Sequence, residues 1–232
     1  MVIRANMKVI GHRGVRNIEV ENTLSSLKLA ASLDVDAIEL DIRLTKDRQL
    51  VLCHNESLKQ VYGIDKNIHD LTLKEARRAK IPTLNDAVEL ELGKPLVLDI
   101  KVKGTAELLH SALVQSGSKN IWSVTSLLPA ELLRLKQLYP GLETTLQSNK
   151  HPFRDIKIAK KTGSSNINFA LYLLNPLTHR LARRAGLKVR TYQNYLSFLL
   201  NSPLVIRLLK LFYPELTVYS DRPDKILAAA KS

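Results

Sequence analysis

Two kinds of apolar spacing alternate along this chain. Short runs of β-branched and other apolar residues, such as the one that begins at Lys8, are typical of buried strands. Between these runs, apolar residues recur every three or four positions, as at Leu24, Leu27 and Ala31, which is the spacing of one face of a helix. The predicted strands are residues 8–11, 36–41, 50–54, 96–101, 121–125, 143–147, 165–169, 188–191 and 217–219.

The alternation of strands and helices predicts a parallel sheet built from βα units. About eight such units favour a closed (β/α)8 barrel of the TIM type over an open sheet. No linker rich in glycine, serine or proline divides the chain, so we predict a single barrel domain over residues 1–232. Residues 55–82 are mostly polar and fit no simple βα unit. We predict a small insertion there, after the second strand, with a short helix near residues 73–79.

Two helix starts carry capping signals. Asn22 or Thr23 is the expected N-cap of the helix after Glu21, because short polar side chains accept hydrogen bonds from the free amides of a first turn. Ser202 followed by Pro203 predicts a second start, with proline at the first helical position.

The chain is strongly basic, with a formal net charge of +13. Such a charge attracts phosphate-rich partners, although it also serves simply as a solvated surface. The basic residues are scattered and form no recognisable nucleic-acid motif, so we expect no nucleic-acid partner. The one cysteine, Cys53, excludes an internal disulfide, and no signal peptide or transmembrane stretch is evident. We therefore expect a cytoplasmic protein.

Acidic side chains stand at the ends of two predicted strands. Glu39 and Asp41 are two positions apart on a strand and therefore point the same way. Asp99, on the next barrel strand, is suited to supply a third oxygen. Converging carboxylates need a cation or a proton between them, and Mg²⁺ or Ca²⁺ prefers oxygen ligands. The alternative is that these acids form ordinary ion pairs with Arg43 or Lys101.

Two histidines follow strands in the same part of the chain. His12 is flanked by glycines and followed by Arg13, whose guanidinium suits phosphate oxygens. His54 ends the strand that extends the second one. Cleavage of a phosphodiester needs a base for the nucleophile and an acid for the leaving oxygen, and two histidines supply both. The alternative is a structural role for each histidine.

Several motifs occur in an order that resembles the glycerophosphodiester phosphodiesterase family. They are Gly11-His12-Arg13-Gly14, Glu21-Asn22-Thr23, Ile38-Glu39-Leu40-Asp41 and Val51-Leu52-Cys53-His54-Asn55, extended by Ile81-Pro82-Thr83-Leu84, Val97-Leu98-Asp99-Ile100-Lys101 and Ser220-Asp221-Arg222-Pro223-Asp224. The resemblance implies a TIM barrel that hydrolyses glycerophosphodiesters to glycerol 3-phosphate and an alcohol, with Mg²⁺ or Ca²⁺. The matching functional positions are His12 and His54 as catalytic residues, Glu39 and Asp41 as metal ligands with Asp99 as the third, and Arg13, Lys101 and Glu21 around the phosphate.

The chain departs from the family pattern at three places. The family usually has glutamate at the position of Asp99 and aspartate at the position of Asn55. Its Trp-Thr-Val-Asn motif near the seventh barrel strand is replaced by Thr191-Tyr192-Gln193-Asn194, where Tyr192 and Asn194 are the expected substrate contacts. These changes affect the choice of substrate more than the type of reaction.

An apolar segment follows the seventh barrel strand, beginning at Tyr195 and ending at Phe212. It is either a helix packed on the barrel or an interfacial element that makes peripheral membrane contact. The second alternative keeps open a lysophospholipase D-type hydrolysis of lysophospholipids at a membrane surface. A further alternative, motivated by Asn55 and Asp99, is a non-catalytic barrel that binds a phosphorylated ligand or a membrane.

Overall fold

A computed structural model describes residues 7–117, 120–192 and 202–231. Its strands are β1 (Lys8–Gly11), β2 (Ala37–Leu44), β3 (Leu50–Leu52), β4 (Leu96–Ile100), β5 (Ile121–Ser126), β6 (Thr144–Ser148), β7 (Asn166–Ala170), β8 (Lys188–Tyr192) and β9 (Thr217–Ser220). Its helices are α1 (Leu24–Ser32), α2 (Lys59–Tyr62), α3 (Leu73–Arg78), α4 (Leu84–Val88), α5 (Ala106–Gln115), α6 (Pro129–Leu138), α7 (Pro152–Lys161), α8 (Pro176–Arg184), α9 (Pro203–Phe212) and α10 (Pro223–Lys231).

The strands close into a barrel. The sheet order is β1-β9-β8-β7-β6-β5-β4-β2-β3, and an additional pairing of β1 with β2 completes the ring. Every pairing within the ring is parallel. The short β3 lies outside the ring and runs antiparallel to the end of β2. The predicted (β/α)8 barrel is confirmed, and each predicted strand is present with ends that differ by at most three residues.

The helix starts follow capping chemistry. Thr23 is the N-cap of α1, because its side chain accepts a hydrogen bond from the backbone N–H of Ser26. Asn22 instead adopts a positive φ of 57°, which turns its side chain toward the barrel. The predicted start at Ser202 and Pro203 is present as the beginning of α9.

The core has an apolar outer layer and a largely polar interior. Leu40, Leu98 and Ile167 belong to the large buried cluster that contains side chains from strands and surrounding helices. A separate small cluster consists of Ile10, Ala37, Val97 and Tyr219, which lie on β1, β2, β4 and β9. Toward the carboxyl ends of the strands, buried polar and charged side chains replace these apolar groups. A polar site is therefore expected at that end of the barrel.

The segment between β3 and α4 forms a small unit with its own core. It contains α2, a 3₁₀ turn at Ile68–Asp70, and α3, which corresponds to the helix predicted near residues 73–79. Its core is formed by Val51, Cys53, Leu58, Ile68, Leu71, Ala76 and Ile81. Within the described parts of the chain, no helix is both long enough and apolar enough to cross a bilayer.

Candidate active site

A cleft of about 950 Å³ opens at the carboxyl ends of the barrel strands. Most of the residues singled out in the sequence line it: His12, Arg13, Glu21, Glu39, His54, Asp99, Lys101 and Tyr192. Asp41 is completely buried and contacts Arg13 and Lys101. The predicted substrate contact Asn194, and the first part of the apolar segment from Tyr195 to Asn201, lie outside the described residues.

Glu39, Asp41 and Asp99 form one buried carboxylate cluster. Each offers an oxygen, and these oxygens lie within 4.8 Å of one another. The cluster forms because Glu39 and Asp41 project from the same face of β2 and Asp41 is in register with Asp99 on β4. Oδ1 of Asp99 is buried and has no hydrogen-bond partner among the described residues. A buried, unpaired carboxylate oxygen beside two further carboxylates fits a hard divalent cation.

Asp41 is the centre of an ion-pair network. Its Oδ1 lies 2.9 Å from Nζ of Lys101, and its Oδ2 lies 3.2 Å from Nε of Arg13. Asn22 clamps the same residue, donating from Nδ2 to Oδ2 at 2.8 Å and accepting the Asp41 backbone N–H at 2.9 Å. Burial alone would raise the pKa of Asp41, but the charges of Lys101 and Arg13 outweigh it and hold that pKa well below its usual range.

The pKa of Glu39 is shifted in the opposite direction to that of Asp41. Burial, reinforced by the charges of Asp41 and Asp99, raises the pKa of Glu39 well above its usual range. Its Oε2 accepts the backbone N–H of Arg13 at 2.8 Å. Lys101 and Arg13 therefore compensate Asp41 more fully than they compensate Glu39, and the cluster favours additional positive charge.

The sequence also allowed simple ion pairs between these acids and Lys101 or Arg43. Lys101 forms such pairs, and Arg43 does not. Nζ of Lys101 also contacts Oδ2 of Asp99, which accepts a second hydrogen bond from Nε2 of Gln147 at 2.8 Å. Arg43 donates from Nε to the backbone oxygen of His54 at 2.7 Å and so supports the loop of that histidine. The pairing of Lys101 uses Oδ2 of Asp99 and leaves Oδ1 for another ligand.

The two histidines have different partners. Nδ1 of His12 lies 2.5 Å from Oδ1 of Asp221, a carboxylate in the loop after β9. Nδ1 of His54 lies 2.7 Å from Oδ1 of Asn55, a neutral amide. Burial lowers the pKa of His54 to about 4, with further lowering by Lys101 and Arg13. In both residues the Nδ1 contact leaves Nε2 as the other ring nitrogen available for proton transfer.

Backbone geometry brings His12 and Arg13 to the cleft. A Cβ atom at Gly11 would lie 2.5 Å from the backbone oxygen of Gly14, so only glycine fits this turn. Arg13 has a positive φ of 53°, and its Nη1 donates to Glu21 at 2.9 Å and 3.0 Å. Glu21 also pairs with Nε of Arg16 at 3.1 Å. Glu21 thus holds two arginines at the cleft.

The wall formed by β6, β7 and β8 carries neutral polar side chains. Gln147 on β6 is in register with Asn168 on β7, and both line the cleft with Tyr192 at the end of β8. Asn168 is completely buried, and neither atom of its amide has a hydrogen-bond partner in the described structure. Burial raises the pKa of Tyr192, so its hydroxyl stays neutral.

Four residues of the site were not singled out as functional from the sequence. They are Asn22, Gln147, Asn168 and Asp221. Asn22 and Asp221 occur in motifs that were noted, but only the closed barrel reveals that they contact Asp41 and His12. Gln147 and Asn168 carry no motif signal, although their places on predicted strands gave their direction by alternation.

The sequence of the chain is similar to that of a known protein family, and the residues of the cleft fit this similarity. The model of the glycerophosphoryl diester phosphodiesterase family matches residues 12–195. The chain belongs to this family. The resemblance carried by the motifs from Gly11 to Asn55 is therefore confirmed.

Individual relatives of the phosphodiesterase family support the same assignment. A glycerophosphodiester phosphodiesterase of Caldanaerobacter subterraneus is 30% identical over 158 residues, covering 60% of this chain and 65% of that protein. Human lysophospholipase D GDPD1 is 34% identical over 114 residues, covering 41% of this chain and 36% of that protein. The chain thus spans less than two thirds of the length of these curated relatives.

A solved structure extends the likeness to the whole barrel. A phosphodiesterase of Oleispira antarctica in complex with its product sn-glycerol 3-phosphate superposes with a TM-score of 0.82 at 25% sequence identity. The superposition covers 97% of each chain.

Proposed function

We propose that this protein hydrolyses glycerophosphodiesters to glycerol 3-phosphate and an alcohol with the help of a divalent metal ion. The observation that carries the proposal is the carboxylate cluster of Glu39, Asp41 and Asp99 in one cleft with His12 and His54. Membership of the phosphodiesterase family and the product complex of the Oleispira relative support it. We propose further that residues 1–232 work as one barrel domain, with residues 55–82 as an insertion.

The proposed metal ligands are Glu39, Asp41 and Asp99, and the ion is Mg²⁺ or Ca²⁺ because all three donors are carboxylates. When bound, such an ion stabilises negative charge on the phosphoryl oxygens. Asp99 is one methylene shorter than the glutamate usual in the family. Its free Oδ1 is the described atom best suited to be its ligand oxygen.

The two histidines divide the proton transfers. Burial raises the pKa of Asp221, but its hydrogen bond with Nδ1 of His12 and the charge interaction with His12 outweigh burial and lower that pKa, so Asp221 is a carboxylate that orients the His12 ring. We assign His12 as the acid that protonates the leaving oxygen. Asn55 gives His54 no charge, and the low pKa of His54 keeps it neutral at pH 7. We assign His54 as the base that takes a proton from the nucleophile.

The remaining residues hold the substrate. Lys101 and Arg13 present cationic groups at the edge of the carboxylate cluster, where they neutralise a phosphate. Glu21 keeps the Arg13 guanidinium in place. Tyr192 supplies part of the opposite wall, and Asn194, beyond the described residues, stays a predicted contact.

Hydrolysis of lysophospholipids is the second candidate. It is favoured by the human relative named lysophospholipase D GDPD1 and by α9, on which Leu204, Leu211 and Phe212 are each at least 66% exposed. The membrane contact predicted for the segment from Tyr195 to Phe212 is part of this candidate. The expected cytoplasmic location also stays a prediction.

The reaction is tested by measuring the release of glycerol 3-phosphate from glycerophosphocholine with Mg²⁺, Ca²⁺ or EDTA. Metal-dependent release that is lost in a His12→Ala variant supports the proposal. Release of lysophosphatidic acid and choline from lysophosphatidylcholine alone moves the function to lipids. Absence of turnover with both substrates in every metal contradicts hydrolysis of either and favours a barrel that binds without catalysis.

Metal binding is tested separately by thermal unfolding. A ligand at one hundred times its Kd adds about 2.7 kcal/mol, which raises the Tm of a domain of this size by about 5 °C or more. An Asp99→Asn variant is expected to lose most of this shift. Asp155→Asn is the matched control, since Asp155 is a buried acid that accepts from Ser148 at 2.8 Å away from the cluster. An equal shift in both variants contradicts the assignment of Asp99.

A further inference from the structure

The mouth of the cleft is ringed by exposed apolar side chains. Six large ones stand in the loops after β1, β5 and β7 or in the first turns of α7 and α8, and each is between 43% and 52% exposed: Ile18, Val20, Leu127, Phe153, Tyr172 and Leu177. All six lie at the carboxyl end of the barrel, because helices that follow parallel strands begin at that end. We call these six residues the rim patch.

The rim patch is continuous with the proposed active site. Val20, Leu127 and Tyr172 line the cleft and are also exposed at its mouth. A set of exposed apolar side chains around a polar cleft is typical of an interaction surface, whereas single exposed apolar residues scattered over a surface are not.

The part of this end that is formed by the loops after β4 to β7 is positively charged. The loops after β4, β5, β6 and β7 contain no acidic residue, whereas Lys103 and Lys150 are exposed there. Arg154 lies in the first turn of α7 with 65% of its side chain exposed, and its Nε lies 3.3 Å from Oδ1 of the buried Asp155. The nearest exposed acid in the following helices, Glu107, is paired with Nε of Arg134 at 2.6 Å. Apolar side chains beside exposed cations match the chemistry of a bilayer with negative headgroups.

We propose that the rim patch binds an anionic lipid surface and turns the open cleft toward it. The apolar side chains enter the boundary between headgroups and acyl chains, and Lys103, Lys150 and Arg154 contact the negative headgroups. This proposal differs from a membrane contact through the full length of α9. Leu211 and Phe212 lie at the end of that helix and therefore near the opposite end of the barrel.

The test is co-sedimentation of the whole chain with phospholipid vesicles. One set contains phosphatidylcholine alone and the other contains phosphatidylcholine mixed with phosphatidylglycerol. The protein is expected to bind the mixed vesicles at least about tenfold more strongly, because each basic side chain near a negative surface adds to the attraction. Equal or absent binding to the two sets contradicts the proposal.

Two double variants locate the contact. Phe153→Ser with Leu177→Ser removes one Phe and one Leu from the rim patch, and both residues lie outside the residues that line the cleft. Leu211→Ser with Phe212→Ser removes the same pair of residue types from the end of α9, where their exposure is 73% and 66%. The rim variant is expected to bind mixed vesicles about tenfold less, since burial of two apolar side chains is lost. The α9 variant is expected to stay within about twofold of the parent.

If vesicle binding is lost in the α9 variant alone, or equally in both variants, the rim patch is not the site of membrane contact. Thermal unfolding and turnover of the soluble diester are measured for both variants, to show that each is folded. Vesicle binding is read without reference to turnover. Failure of the proposed reaction and failure of the proposed surface therefore give different results.

Discussion

The cleft has a charged half and a neutral half. In the first half, from β1 to β4, buried charges lie against opposite charges, as Lys101 does with Asp41 at 2.9 Å and Arg13 with Glu21 at 2.9 Å. In the second half, from β5 to β8, the buried side chains of Thr125, Thr145 and Asn168 have polar atoms without a hydrogen-bond partner among the described residues.

The two halves are stabilised differently. Removing one charge from the first half takes an ion-pair partner away from a buried group of opposite charge, which is costly. Removing the unpaired polar atoms of Thr125, Thr145 or Asn168 from the second half costs little, because they form no hydrogen bond in the described structure that would be lost. The first half therefore suits catalysis by fixed charge, and the second suits selection of a substrate group that provides the missing partners.

The largest loss of activity is expected from replacing His12, the proposed proton donor in the charged half of the cleft. A His12→Ala change removes proton donation to the leaving oxygen, so kcat/KM is expected to fall by about 10²–10⁴. Steady-state kinetics with glycerophosphocholine measures this. An Asn168→Ala change in the neutral half is the comparison, and a fall as large as that of His12→Ala would break the division between the halves.

The next effect concerns stability. Asp41→Asn keeps the shape of the side chain but leaves Lys101 and Arg13 without their shared anion, and the free energy of unfolding is expected to fall by about 3–5 kcal/mol. Urea denaturation measures the change. A loss below about 1 kcal/mol would mean that Asp99 and Glu21, the other anions beside Lys101 and Arg13, are sufficient to compensate these cations.

A smaller effect is expected in the pH profile. As the base, His54 works in its neutral form, so the acid limb of kcat/KM is expected near its pKa of about 4. Asn55→Asp places a negative charge beside Nδ1, which favours the protonated ring and raises its pKa by about one unit or more. The limb then moves to higher pH, and the variant loses more activity than the parent as pH falls. An unmoved limb argues against His54 as the base.

The smallest effect is expected from Thr145→Val. Thr145 is completely buried, and its Oγ1 has no hydrogen-bond partner in the described structure. Replacing it with an isosteric apolar side chain is expected to change the free energy of unfolding by less than about 1 kcal/mol, in the stabilising direction. Urea denaturation beside Asp41→Asn tests this. A loss of about 2 kcal/mol would show that an ordered water holds this hydroxyl.

The sequence predicts the site best where the functional residues lie on strands whose position and side-chain direction follow from local patterns. His12 follows a strand, and Glu39 and Asp41 lie on a strand, that periodicity alone predicts; alternation alone sets Glu39 and Asp41 on one face. Asp99 follows from the rule that consecutive strands neighbour each other, which its register with Asp41 obeys.

The rest depended on contacts that local patterns do not encode. The role of Asn22 required its positive φ, which carries it from the expected cap position to Asp41. The neutral wall required the register of Gln147 with Asn168, two residues that have no distinctive motif. The pairing of Lys101 with both Asp41 and Asp99 required three-dimensional distances, because a pair of acids two positions apart predicts a metal or an ion pair equally well.

The pairing of His12 with Asp221 joins residues that are 209 positions apart. During synthesis, Glu39, Asp41 and Asp99 are therefore added to the chain long before Asp221, the carboxylate that orients the His12 ring. That carboxylate reaches His12 only when β9 closes the gap beside β1. Alignment of His12 by Asp221 therefore requires the last strand of the barrel. Onset of turnover during refolding is therefore a direct reporter of barrel closure, and it is expected to lag behind the recovery of helical circular dichroism.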